Sequence, residues 1–226
     1  MPTRSLDKDP LNQGLLLSLP MFEGSGTASV LDVARPHHPV TQTGTPAWTQ
    51  LSPSGLWVMD FDGTSDYLTA TNAATTDLAF EGASPFTVSA WIYPDSVTGF
   101  YLMSRGVNSV SGWAAILSST NSYLLLGVPG YFFVSSAAFG LQVNRWQLVG
   151  ATKYSATLGG FYLDGMYQAT SFAGSSVVTA TASDLKISDT ASSFNGKMWN
   201  PRIWGRALSS AEHKEIFDNE RKLFGV

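Results

Sequence analysis

The feature that most constrains this chain is its rhythm. Short apolar or alternating runs recur about every ten residues, and Gly, Pro, Asp or Asn closes each of them. GLLLSLPMF (14–22), LWVMDFDG (56–63), DYLTA (66–70) and FTVSAWIYP (86–94) come first. FYLMSR, GWAAIL, SYLLLGV, YFFVSS, RWQLVGATK, GFYLDG, MYQATSF, DLKIS and GKMWNPRIW follow. Side chains alternate between the faces of a strand. In FTVSAWIYP that sets Phe86, Val88, Ala90 and Ile92 on one face and Thr87, Ser89, Trp91 and Tyr93 on the other. Many short strands without helical stretches between them exclude a βαβ fold. They predict an all-β protein, a sandwich or a barrel, with one short C-terminal helix. No internal repeat and no dividing linker is present, so residues 13–226 read as one domain, preceded by an extended polar arm over 1–12.

The helix is expected after the last strand. Ser209 can cap it with Glu212 three positions on, the reciprocal capping-box pattern. Leu208, Ala211, Ile216 and Phe217 can line the side that faces the sheets, and Arg221 and Lys222 fall where cations complement the helix dipole. FNGKMWNPRIWGRALSSAEHKEIF (194–217) therefore reads as a core strand over 196–204 and a docked helix. Pro201 has no N–H to donate, so that strand is either an edge or bulged there.

Composition removes several function classes. The 226 residues can bury a sizeable core, and with no cysteine there is no disulfide, thiolate nucleophile or sulfur-ligated metal site. The apolar run after Leu11 is short, interrupted and preceded by both acids and bases, which fits neither a signal peptide nor a membrane span. Residues 195–226 carry six Lys/Arg against four Asp/Glu, and the remainder seven against thirteen. No basic stripe exists for phosphate backbones, so nucleic acid is not an expected partner, and neither is a membrane. Only 13% of residues are charged, against about 25% in an average domain. So little charge beside 44% hydrophobic residues suits a protein packed against other subunits.

Five stretches, in order, resemble the laminin-G-like jelly rolls of the concanavalin A-like lectin/glucanase superfamily. They are GLLLSLPMFEGSGTASVLD, FDGTSDYLTA, FTVSAWIYP, NRWQLVGATKYSATLGGFYLDG and FNGKMWNPRIWGRALSSAEHKEIF. The likeness runs from about Leu15 to Phe217 and implies the fold, a two-sheet antiparallel β-sandwich (jelly roll) with one short C-terminal helix, more than the function. Two departures bear on any ligand or calcium site that relatives carry. MWNPRIW holds Asn200 and Pro201 where members often have an Asp, and DVARPHHPV keeps Asp32 but lacks the glycines of the usual early loop.

Glucanases of the superfamily place alternating acids on one strand, because two carboxyls must point into one cleft at a fixed separation. The nearest string here, Glu215, Asp218 and Glu220, has another spacing and falls on the helix, where a solvated face accounts for it. The protein is read as non-catalytic. His37 and His38 with a distant His213 are thin material for a metal, and adjacent histidines between prolines read as a surface turn. Asp60, Asp62 and Asp66 read as turn chemistry, with Asp62-Gly63 making the tight connection. Calcium on Asp62 and Asp66 is the alternative, and no cofactor is otherwise expected.

Most aromatics, Trp57, Trp91, Trp146 and Trp204 among them, read as core and strand partners. SYLLLGVPGYFFVSS differs: it is a hairpin around Pro129-Gly130 whose arms are apolar on both faces, and such strands are covered on both. Tyr123, Tyr131, Phe132, Phe133 and Trp113 are accordingly the candidate partner or ligand surface. The first functional reading is a structural module of a larger assembly, by family analogy a phage virion protein such as a capsid decoration, head fibre or tail component. Its partners would be other subunits, with itself as one option. The alternative is a lectin-like module that binds a surface glycan, marked by a shallow groove with an exposed Trp or Tyr beside Asn or Asp. Localisation follows: the virion, or else the cytoplasm or cell surface without a signal peptide.

Overall fold

The computed structural model describes residues 9–24, 27–35, 37–97, 99–107, 110–118, 123–128, 131–135, 140–168, 170–172, 177–189 and 192–226. For 118, 123–128, 131–135 and 170–172 the description covers the backbone. The strands are β1 Leu15–Ser18, β2 Ser29–Val30, β3 Val40–Thr43, β4 Ala47–Gln50, β5 Trp57–Asp62, β6 Tyr67–Ala70, β7 Phe86–Pro94, β8 Phe100–Val107 and β9 Ser111–Ser118. They continue as β10 Tyr123–Val128, β11 Tyr131–Ser135, β12 Gln147–Lys153, β13 Gly159–Leu163, β14 Met166–Gln168, β15 Thr170–Phe172, β16 Leu185–Ile187 and β17 Asn195–Trp204, and α1 spans Ser210–Glu220.

These strands build two antiparallel sheets. Sheet A runs β14-β13-β12-β7-β17-β5-β4, with β1 also on β17, and sheet B runs β15-β11-β10-β9-β8-β16-β6-β3-β2. The expected sandwich and single C-terminal helix are what the chain forms. Their inner faces meet in one apolar core, where Phe86 stacks on Phe80 at 4.5 Å and Phe100 meets Phe194 at 4.7 Å. The pleat of β7 follows its sequence: Phe86, Val88, Ala90 and Ile92 are all buried in that core.

The other face of sheet A is also covered, by α1 and the turn that follows it. Phe217 and Phe224 stack on Trp91 at 5.7 and 4.3 Å, and Phe224 also meets Trp146 and Trp199 at 4.6 and 5.6 Å. Sheets covered on both faces read as near-continuous apolar runs, which is why the closing strand carries two tryptophans. The capping box forms as expected between Ser209 and Glu212. The inward face of the helix differs from expectation: Ala211 is exposed, and His213 and Ile216 are buried. His213 fits because Gly150 lies beneath it, where a Cβ would come within 2.9 Å of the imidazole.

Beneath α1 the hydrogens are ordered by a chain of hydroxyls. Thr87 donates to the Arg206 carbonyl and accepts from the Leu208 N–H, both at 3.0 Å. Its contact with Thr152 (3.0 Å) must then have Thr152 donating, so Thr152 accepts from Nε2–H of His213 at 2.9 Å. Burial holds His213 neutral, its pKa lowered to about 3.

The closing strand is bulged, not an edge. It lies between β7 and β5, and its register against β7 shifts between Trp199 and Arg202, around Pro201. The expected extended arm is corrected where it is described. Pro10–Asn12 form a 3-10 turn, and Leu11 packs on the core. The Trp204 indole donates to the Leu11 carbonyl at 2.7 Å and Arg206 binds those of Gln13 and Pro10, so aromatic and guanidinium donors fix this turn.

Candidate functional site

On the outer face of sheet B, β8, β16 and the 182–184 segment enclose an open groove of about 520 Å3. Its wall residues alternate with core residues. Leu185 and Ile187 point inward, so Lys186 between them points out, and Ser104 stands opposite it across the register. Lys186 Nζ lies 2.9 Å from Asp189 Oδ1, and Ser104 Oγ donates to Asp189 Oδ2 at 3.2 Å. The same ammonium sits 5.3 Å from the centroid of the Tyr67 ring. Tyr101 is half-buried in the wall, and burial together with the nearby Asp189 carboxylate raises its phenol pKa, so it stays a neutral donor. Two tyrosine rings, a lysine, a carboxylate and a hydroxyl thus meet on one shallow surface. The β8–β9 hairpin closes its end, with Gly106 where a Cβ would fall 2.1 Å from the Ser111 carbonyl.

None of these groove residues stood among the sequence candidates. DLKIS and FYLMSR carried a signal in their alternation, since Lys186 and Tyr101 occupy outward positions of apolar strands. What they lacked was the pairing of β16 with both β8 and β6, which brings 67, 101 and 186 together.

Trp113 is not part of a partner surface. It is 1% exposed, it packs on Phe86, and its indole donates to the Leu78 carbonyl at 2.8 Å. Tyr123, Tyr131, Phe132 and Phe133 stand on β10 and β11, where Phe133 pairs with Leu126 and Phe132 with Gly127. Their side chains, and Pro129-Gly130 itself, lie outside the described residues.

Both aspartates considered for calcium are engaged in turns. Asp62 Oδ1 accepts the N–H groups of Thr64, Ser65 and Asp66 at 2.8, 2.9 and 3.1 Å, and Oδ2 accepts both hydroxyls. These bonds, that from Thr64 foremost, hold its carboxyl well below the usual range. Asp66 accepts from Thr45 N and Asp62 N, and Asp60 pairs with Lys197 at 3.2 Å. Among the described residues no three of His, Asp and Glu group as a metal site.

The histidines are not brought together either. His38 is not on a surface turn but buried, with Nδ1 at 2.8 Å from Asp32 and Nε2 at 3.0 Å from Asp77. Burial lowers its pKa, but the hydrogen bonds to Asp32 and Asp77 outweigh that and raise it. The acids of the helix likewise do not converge. Asp218 pairs with Lys214, while Glu220 turns inward, contrary to the solvated face expected, and receives Arg202 and the Trp91 indole.

Two apposed antiparallel sheets with a shallow aromatic and polar groove define a lectin-like β-sandwich. The chain belongs to the Concanavalin A-like lectin/glucanases superfamily, whose Laminin_G_3 model matches residues 62–212. No curated protein matches it in sequence. Among solved structures it is similar to a botulinum neurotoxin type C chain, described as depending on two ganglioside molecules to enter cells. That match has 16% identity and a TM-score of 0.66, and covers 92% of this chain and 52% of that one. It is similar to the binding domain of botulinum neurotoxin serotype C1 (16%, TM-score 0.67, 92% and 53%). A third is the binding domain of botulinum neurotoxin DC in complex with rat synaptotagmin II (14%, TM-score 0.65, 92% and 52%). The chain spans about half the length of these structures, and at such identity the likeness is one of fold.

Proposed function

We propose that the protein is a non-catalytic glycan-binding module whose ligand lies in the groove of sheet B. The observation that carries this is the half-buried Tyr101 beside the Lys186–Asp189 pair on an otherwise shallow face. A sugar presents apolar ring faces and a rim of hydroxyls. Tyrosine rings take the first, while ammonium, carboxylate and phenol take the second. Binding domains among the structural neighbours support the reading, as does the engagement of Glu220 and Asp218 by cations instead of a cleft. The test is a glycan array probed with the full chain. Parent protein binds a defined glycan set, and Tyr101→Ala or Lys186→Ala weakens that binding about tenfold or more, a loss of about 1.4 kcal/mol, with melting temperature unchanged. An array without signal from the parent sinks it.

A second reading keeps the module inside an assembly, a virion being one. It rests on the strands β10 and β11, whose sequences YLLLGV and YFFVS are largely apolar, and on the scarcity of charge. Light scattering that shows a concentration-independent monomer counts against it.

A further inference from the structure

We infer that the notch at the bulge of the closing strand is a second binding site, for a single neutral sugar residue. The ligand class rests on the glycan reading above; the site itself is separate, on the opposite sheet. Strand β17 changes partner at the notch. Asn195–Met198 pair with β5, whereas Arg202–Trp204 pair with β1. Between them Asn200 sits at φ 47°, a left-handed conformation costly for a residue with a Cβ, and its side chain accepts a hydrogen bond from Ser18 Oγ at 2.8 Å. A strained bulge inside a sheet is a device for re-aiming side chains.

The fork leaves a cleft of about 270 Å3 between β17, the Asp9–Asn12 turn and α1. It shares Asn12, Leu15 and Ser18 with a space of about 410 Å3 beside Ala34, Arg35 and His37. Leu15 and Ile216 give it apolar patches, and Ser18, Asn200, Asn219 and Glu220 give it hydroxyl, amide and carboxylate groups.

Unpartnered polar atoms surround the bulge, and Arg202 is the one of them that lines the cleft. Five buried side-chain polar atoms among the described residues lack a hydrogen-bond partner, and three of them are Ser89 Oγ, Trp199 Nε1 and Arg202 Nε. These three flank the bulge: Trp199 and Arg202 bracket it, and Ser89 is the cross-strand partner of Arg202. Arg202 is 7% exposed and lines the cleft. An unmet donor in a native interior asks for an acceptor, and Arg202 Nε is such a donor on a residue that lines the cleft. Glu220 meets the Arg202 guanidinium through two bonds of 2.7 and 2.8 Å. With the cation neutralised, the notch favours neutral oxygens over an anion. Hydroxyls around a compact ring with apolar faces fit that description.

The experiment titrates the 15N-labelled full chain with the methyl glycosides of glucose, galactose, mannose and N-acetylglucosamine, and follows the tryptophan indole resonances. At least one glycoside is expected to shift the Trp199 and Trp204 signals saturably. The shifts persist in Tyr101→Ala, which removes one ring of the groove, and vanish in Asn219→Trp, which fills the mouth of the cleft from an exposed helix position. No saturable shift with any of the four, or shifts that survive Asn219→Trp at unchanged melting temperature, overturns the proposal. Loss of array binding in Tyr101→Ala with silent indoles would leave the groove reading standing and this one refuted.

Discussion

Arg202 of the closing strand and Glu220 of the helix meet end-on through bonds of 2.7 and 2.8 Å, their side chains 8% and 18% exposed. The Trp91 indole donates to the same carboxylate at 2.7 Å. One acid therefore ties the helix to two strands and neutralises a buried cation.

Glu220→Gln keeps the shape but removes the counter-charge from Arg202. Breaking a buried pair from one side costs about 3 kcal/mol, because the remaining charge is left unpaired. Urea denaturation should show that loss, and Arg202→Met combined with Glu220→Met should recover most of it. Equal stability of Glu220→Gln and parent would mean that the pair contributes nothing.

Asp62 organises the 62–66 turn by accepting three backbone N–H groups, and the turn reading makes its role one of backbone geometry. Asp62→Ala should cost about 1 to 2 kcal/mol, and chelator should leave the parent's melting temperature unchanged. Its carboxyl is depressed in the fold, so the stability that it adds is present above the ordinary carboxylate value of 3.8 and lost as pH falls through the folded pKa. A large drop with chelator, reversed by calcium alone, would show that the turn reading is incomplete.

The strands with strict alternation were legible because burial on the inner face follows from local pattern. The capping box at Ser209 and the irregularity at Pro201 were legible because single residues dictate them. VTQT of β3 and AWTQ of β4 were not, being four residues each and largely polar. The inward turn of Glu220 depends on Trp91, 129 positions earlier, and the groove depends on three strands far apart in sequence. Trp113 looked like a surface aromatic because nothing local marks the Leu78 carbonyl as its partner.

Lys153 is fully buried, and its ammonium donates to the Gly82 and Ser84 carbonyls at 3.4 and 3.0 Å. Burial lowers its pKa from 10.5 to about 8. Between those values the folded state binds fewer protons than the unfolded chain, so stability rises with pH there. Lys153→Met should be more stable than parent at pH 7, by at most about 3 kcal/mol less the two lost bonds. The advantage should shrink as pH approaches 10. A destabilised variant at pH 7 would mean that the carbonyl bonds outweigh desolvation.

Two buried histidines pull the pH profile in opposite directions. His213 is held neutral with a pKa of about 3. As pH falls from 6.5 towards 3, only the unfolded chain takes up that proton, and stability drops by about 1.4 kcal/mol per unit. His38 lies between Asp32 and Asp77 with a raised pKa, so its contribution is complete below 6.5 and fades as pH rises through the folded value. In the neutral ring one nitrogen keeps its proton and the other turns a lone pair to a carboxylate, which is why deprotonation is unfavourable there. His213→Gln retains a donor for Thr152 and should flatten the acid limb. His38→Gln should lose more stability at pH 6 than at pH 9. Denaturant titrations of both variants at pH 4, 6 and 9 decide it, and parallel curves for parent and His38→Gln from pH 6 to 9 would refute a charged His38.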